Sequence, residues 1–216
     1  MNFDDMADQL SAHPDYKVKR RLVPILDFGQ GSGGPTKRVL ILDTETTGLD
    51  SRAEKIIELA MLAVDVDLQT GKPVGKVEVY EGFEDPKFPI PPEIVKLTGI
   101  TDKDVKGQSL DEFAIQGMVA RADLIVAHNA AFDKKFWQAE LARCGEDGSH
   151  PFACTVLLSR RLYPQAPNHK LGTLAALHHL PSSGRAHRAL ADAEMAAHLL
   201  AQMQHDLKTR YGCQHA

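Results

Sequence analysis

A chain of 216 residues, 43% hydrophobic and 25% charged, has the size and balance of one globular domain with room for an appendage. A formal charge of −4 argues against a strongly basic, nonspecific nucleic-acid binder, though not against an enzyme that meets phosphates through metal ions. No apolar stretch could cross a membrane, the acidic start MNFDDMADQL is no secretory signal, and Cys144, Cys154 and Cys213 make no disulfide framework, so a reducing cytoplasm fits best.

The first 35 residues read as an arm: a short helix over 2–12, a basic run Lys17–Arg21, and a flexible linker GQGSGGP at 29–35. That linker is no phosphate loop, because Gly34 is followed by Pro-Thr-Lys rather than Gly-Lys-Ser/Thr. Val39–Leu42 is then predicted as a strand buried on both faces, running straight into Asp43 and Glu45. Residues 55–67 and 76–85 read as two further strands, joined by a turn through Gly71 and Pro73. A helix follows within 109–123, opened by Ser109 with Glu112 in capping-box position. Residues 124–127 form a short buried strand, and 130–145 a helix stopped near Gly145. Two more helices cover 155–163 and 171–179, and a last one runs from about Ala189 to 207, leaving a tail over 208–216. Early strands followed by alternation with helices indicate an α/β layer fold with a mixed sheet, over residues 36–207. No internal repeat is visible.

Strand alternation places Asp43 and Glu45 on one side. The last helix has an inward stripe of Ala189, Ala193, Ala196, Leu200 and Met203, and Asp192 lies on it. In the 130–145 helix, Phe132, Phe136 and Ala139 mark the inward face and Asp133 borders it. No Lys or Arg is interleaved with these acids on the inward faces. Desolvating each ion costs several kcal/mol unless its pKa rises or a counter-charge arrives. Two divalent ions would neutralise four carboxylates, and oxygen ligands suit Mg²⁺ or Mn²⁺ better than zinc. A lone Asp-x-Glu is more often a solvated strand end, and one helical Asp an exposed charge near a positive helix terminus. The combination is what points to a site.

Taken together, DTETTGL (43–49), HNAAFD (128–133) and HRALADA (187–193) resemble the DnaQ-like 3′–5′ exonucleases with a DEDDh signature, the nearest likeness being to the proofreading (epsilon) branch of bacterial DNA polymerase III. The resemblance spans about residues 36–205 and implies an RNase H-like fold, a mixed five-stranded sheet flanked by helices. It implies metal ligation by Asp43, Glu45, Asp133 and Asp192, and a general base at His187. On one helix His187 and Asp192 would point about 140° apart. Residues 181–188 instead read as a loop, which can swing a histidine over the site while Asp192 stays on the rigid helix. The resemblance also implies substrate contacts at Thr46, Gly48, Leu49, Asn129 and Phe132. PPEIVKLTGI (91–100) resembles the helix and turn before the second motif, with Glu93 and Thr98 near the substrate sugar.

Other groups read differently. Cys144, His150 and Cys154 are too scattered for a metal cluster. His178 and His179 read as helix-end residues, and Asn168-His169-Lys170 as either a phosphate contact or an N-terminal cap. Lys134, Lys135, Arg160 and Arg161 read as solvated faces. The expectation is a two-metal exonuclease acting on single-stranded or frayed DNA 3′ ends, in proofreading or repair. An RNA exonuclease of the same superfamily, RNase T-like or oligoribonuclease-like, is the alternative. A non-catalytic nucleic-acid adaptor is the remote one. The short tail favours a free-standing or loosely associated enzyme and leaves polymerase association open; no membrane partner is expected.

Overall fold

The structure, a computed structural model, describes residues 27–140, 150–181 and 186–212. The expected helix over 2–12, the Lys17–Arg21 run, the stop at Gly145, Cys144 and Cys213 lie outside them. Strand β1 (Thr36–Thr46) is the middle of a mixed five-stranded sheet. Antiparallel β2 (Ile56–Asp67) and then β3 (Pro73–Phe83) lie on one side of it, parallel β4 (Leu124–Ala127) and β5 (Phe152–Cys154) on the other. Seven helices are described: α1 (Pro92–Thr98), α2 (Asp102–Val105), α3 (Glu112–Ala120), α4 (Ala130–Glu140), α5 (Thr155–Leu162), α6 (Leu171–Leu177) and α7 (Ala189–Tyr211).

The alternation of β1 sorts the core into two layers. Leu40 and Leu42 pack with Ile115, Met118, Phe136 and Trp137 under α3 and α4. Val39 and Ile41 face the opposite side, against Ala189, Ala193 and Ala196 of α7. Alanines at that spacing let α7 lie close on β1 and β2. Each fully buried Leu or Ile contributes roughly 1.5–3 kcal/mol. By the same alternation Asp43 faces α7, whereas Thr44 faces α4. Because β4 runs parallel to β1, it delivers the start of α4 to the edge at which β1 ends.

Several boundaries differ from the sequence reading. Strand β5 has three residues, too few to give a pattern, and is defined by its pairing with β4. Pro73 begins β3 instead of turning, which an edge strand tolerates at its first residue. Asp67 shapes the turn by accepting from the Gln69 and Thr70 N–H groups. Asp111, not Ser109, caps α3, accepting from the Ala114 N–H at 3.0 Å. The Leu110 N–H is held by Glu84, which delays the helix start. On α4 Ala139 is exposed, and the buried stripe is Ala130, Asp133, Phe136, Trp137 and Glu140. Asp133 is therefore within the inward face rather than at its border. On α7, Leu199 is fully buried and Leu200 only partly so. That helix continues past 207 to Tyr211, where Gly212 ends it in the left-handed conformation and Arg210 donates to the Leu162 carbonyl. Phe28 and residues 29–32 of the expected linker lie against β3 and the turn before it, through the Phe28 N–H to Gly75, the Gly75 N–H to Gly29 and the Ser32 N–H to Asp67. Among the described residues no helix is long and apolar enough to cross a membrane.

Candidate active site

The carboxyl-terminal end of β1 is where the acids meet. Asp43 is half-buried and Glu45 buried, both on the α7 face of the sheet. Asp192, in the first turn of α7, comes to Glu45 from that face. Asp133 arrives from the other layer, buried, with its carboxylate accepting from the Thr44 hydroxyl at 2.9 Å. Carboxylate oxygens of Glu45 and Asp192 and a ring nitrogen of His187 lie within 4.8 Å of one another. His187 is exposed, and its backbone N–H donates to Asp192 at 3.0 Å. Its φ of 62° is left-handed, which costs a residue with a Cβ on the order of 1–3 kcal/mol. Residues 182–185 of the expected loop lie outside the described residues.

Proton affinities register the crowding. Burial, then Asp133, Glu45, Asp192 and Glu58, hold Asp43 well above the ordinary carboxylate range. Burial and then Asp192, Glu58 and Asp133 push Glu45 up to about 8, with Arg188 opposing. Burial raises Asp133 to about 7 against the Thr44 hydrogen bond, and raises Asp192 against the His187 N–H. Four acids on a strand and two helices, each disfavoured as an anion, fit a cation site of hard oxygen donors. Mg²⁺ or Mn²⁺ matches that donor set.

An acid whose pKa is raised on folding contributes stability below its unfolded value and loses it as pH rises through its folded value. The metal-free protein should therefore lose stability between about pH 4 and the folded values near 7 and 8 of Asp133 and Glu45. Divalent cations should restore it at the upper end. Melting curves in EDTA and in Mg²⁺ at pH 5 and pH 8 check this; a metal-free melting temperature that rises over that interval would contradict it.

Sequence reasoning missed Glu58. It is fully buried on β2, directly opposite Glu45 in the β1–β2 register, so two like charges face each other. Its signal was available: it is the one charge within IIELAMLAV, residues 56–64. Arg188 answers it with Nη2 at 2.6 Å and Nε at 3.1 and 3.2 Å. One basic partner is thus present among the acids, contrary to the expectation of none. His128 was also missed in this role. Burial lowers it to about 4, so it is neutral, with Nε2 facing the His169 carbonyl and Nδ1 facing the Thr155 hydroxyl. The carbonyl can only accept, so Nε2 donates and Nδ1 accepts. That bond network ties the second motif to α5 and the segment before α6.

The expected substrate contacts divide. Thr46 donates to the Gly48 carbonyl at 2.6 Å, and a Cβ at Gly48 would come within 2.8 Å of the Glu54 side chain, which would have to swing aside. Leu49 on that turn is 85% exposed. Asn129 takes a left-handed φ of 67°, and half-buried Phe132, next to Asp133 in the chain, has its ring tilted against Phe136 with centroids 5.0 Å apart. Glu93 is exposed on α1. Thr98 is instead buried, its hydroxyl donating to the Ile94 carbonyl and accepting from the Ile100 N–H, so it serves the turn after its own helix. Asn168 closes a turn by accepting from the Lys170 N–H, and His169 Nδ1 is hydrogen-bonded to Ser159. Lys135, Arg160 and Arg161 are exposed, and half-buried Lys134 has its ammonium 5.3 Å from the Phe152 ring centroid. His178 follows α6 directly as its C-cap.

A family model described as Exonuclease matches residues 40–200. The chain is 36% identical over 194 residues to the PolC-type DNA polymerase III of Halalkalibacterium halodurans, an alignment covering 87% of this chain and 12% of that protein. It is 36% identical over 176 residues to its counterpart in Lacticaseibacillus paracasei, covering 80% and 12%. The chain thus spans a small part of the curated relatives it matches. A solved exonuclease X in complex with 5′-overhanging duplex DNA superposes with a TM-score of 0.59 at 26% identity, covering 80% of this chain and 92% of that one. A solved exonuclease I shares the fold, with a TM-score of 0.60 at 20% identity, covering 82% of this chain and 42% of that one.

Proposed function

Since this chain belongs to the exonuclease family, we propose that it is a metal-dependent 3′–5′ exonuclease that hydrolyses DNA 3′ ends to nucleoside 5′-monophosphates in the cytoplasm. The observation that carries this reading is the convergence of Asp43, Glu45, Asp133 and Asp192, with His187 beside Glu45 and Asp192. The four acids would hold two Mg²⁺ or Mn²⁺ ions, which supply an acidified water and a stabilised departing 3′ oxygen. His187, exposed at the rim, accepts the proton of the attacking water and needs only to be neutral to do so. Thr44 keeps Asp133 aimed at the site. Thr46, Gly48, Glu93, Asn129 and Phe132 border the terminal nucleotide.

Likeness to PolC-type polymerases and to a DNA-bound exonuclease X supports DNA as substrate and a role in proofreading or repair. The test is a panel of matched oligomers: single-stranded, mismatched and paired DNA, with RNA, each in Mg²⁺ and Mn²⁺. Fastest release from single-stranded or mismatched DNA is expected. Much faster degradation of RNA would move the protein to the RNA branch, and binding without release would make it an adaptor.

Leu49 should act as a wedge against the terminal base. Leu49→Ala should raise KM for a paired end by roughly three- to tenfold, about 1 kcal/mol of lost apolar contact. Its exposure means that the melting temperature should stay put. Steady-state kinetics on paired and frayed ends check both statements, and an unchanged KM on both substrates would remove Leu49 from the contact surface.

A further inference from the structure

We propose that Arg188 and Glu58 form a positioning device for His187: by clamping the first residues of α7 to β2, they hold the neighbouring imidazole beside Glu45 and Asp192. The inference rests on the exonuclease reading of the site. Glu58 uses both carboxylate oxygens here, taking Arg188 Nη2 at 2.6 Å through one and the Ala189 N–H at 2.8 Å through the other. It thereby caps α7 from strand β2, since among the described residues the residue preceding the helix makes no side-chain cap of its own. The guanidinium is also 3.8 Å from Glu81 and lies 5.8 Å from the Phe83 ring centroid, so its plane is fixed from three directions.

His187 sits between two fastened points. Its own N–H is held by Asp192, and the next two residues are held by Glu58. A left-handed backbone at a residue with a Cβ persists only where its surroundings over-determine it. The Arg188–Glu58 clamp is one such constraint. Burying a fifth carboxylate opposite Glu45 works against folding, and an apolar pair would pack as well. What an apolar pair lacks is direction. A forked guanidinium on a carboxylate fixes orientation as well as distance, and a displacement of about 1 Å at a reacting group can cost on the order of 10²-fold in rate.

The test is a set of single-turnover rates on single-stranded DNA for Arg188→Gln, Arg188→Lys and Glu58→Gln, each alone and combined with His187→Ala. With His187 present, Arg188→Gln and Glu58→Gln should each slow the reaction roughly 10- to 100-fold, with affinity for the DNA end little changed. In the His187→Ala background the same changes should cost at most about twofold, because nothing remains to be positioned. Arg188→Lys, which keeps the charge but loses the fork, should fall between wild type and Arg188→Gln. Equal losses in both backgrounds, or losses explained by weaker DNA binding, would overturn the proposal. Melting curves identify any variant that fails to fold; if Glu58→Gln does, Arg188→Gln, whose parent side chain is 37% exposed, decides alone. If His187→Ala itself has no effect, the general-base reading of His187 fails instead, and the two failures are distinct.

Discussion

Replacing His187 by alanine should slow turnover by roughly 10²- to 10⁴-fold, the usual contribution of a general base. Binding of the DNA end should barely change, because the four acids and the turn bearing Leu49 are untouched. The folded state should lose little, since the imidazole is exposed and only the backbone N–H of His187 holds Asp192. Alanine keeps that N–H. Single-turnover rates and DNA affinities for both proteins decide the matter. Equal rates, or a deficit explained wholly by binding, would defeat the assignment.

Glu45→Gln should reduce hydrolysis to background and yet raise the melting temperature of the metal-free protein. The side chain is buried among like charges, with its proton affinity pushed up to about 8. Each unit of such a shift corresponds to about 1.4 kcal/mol against the anion. An isosteric amide removes that repulsion without opening a cavity, so a gain on the order of 2 kcal/mol is expected near neutral pH. Asp43→Ala and Asp192→Ala should also abolish activity. Their stability gain should be smaller, because truncation removes packing, and for Asp192 also the hydrogen bond to His187. The stabilising effect of Mg²⁺ should shrink in all three variants. Melting curves with and without Mg²⁺ measure this, and a variant with near-normal turnover would remove that residue from the metal site.

Much of this was legible in the sequence because the signals were local. An apolar run ending in Asp-x-Glu gives a buried strand and two acids on one face whatever else the chain does. LIVA, between helical segments, gave β4 with the bounds the structure has. What escaped was set by partners distant in sequence. Strand β5 exists only through its pairing with β4, so three residues could not announce it. Ser109 is a good cap residue, but Glu84 holds the next N–H and Asp111 takes the role. Thr98 follows a site-like motif, yet its hydroxyl is committed to Ile94 and Ile100. Glu58 is informative in the other direction: a single charge in an apolar strand was visible, but only the register with β1 gives it a neighbour in Glu45. Arg188 likewise stands 130 residues from Glu58 in the chain.

On the proposed reading, Asp43, Glu45, Asp133, Asp192 and His187 form a metal-dependent centre that shortens DNA from its 3′ end. The most direct test is a single-stranded oligodeoxynucleotide labelled at its 5′ end, incubated with the protein in Mg²⁺, in EDTA, and in EDTA followed by excess Mg²⁺. A ladder of labelled products shortened stepwise from the 3′ end is expected, with no products in EDTA and recovery on restoring Mg²⁺. Undiminished hydrolysis in EDTA, or release of the label as a mononucleotide from the 5′ end while the rest of the strand is intact, would contradict it.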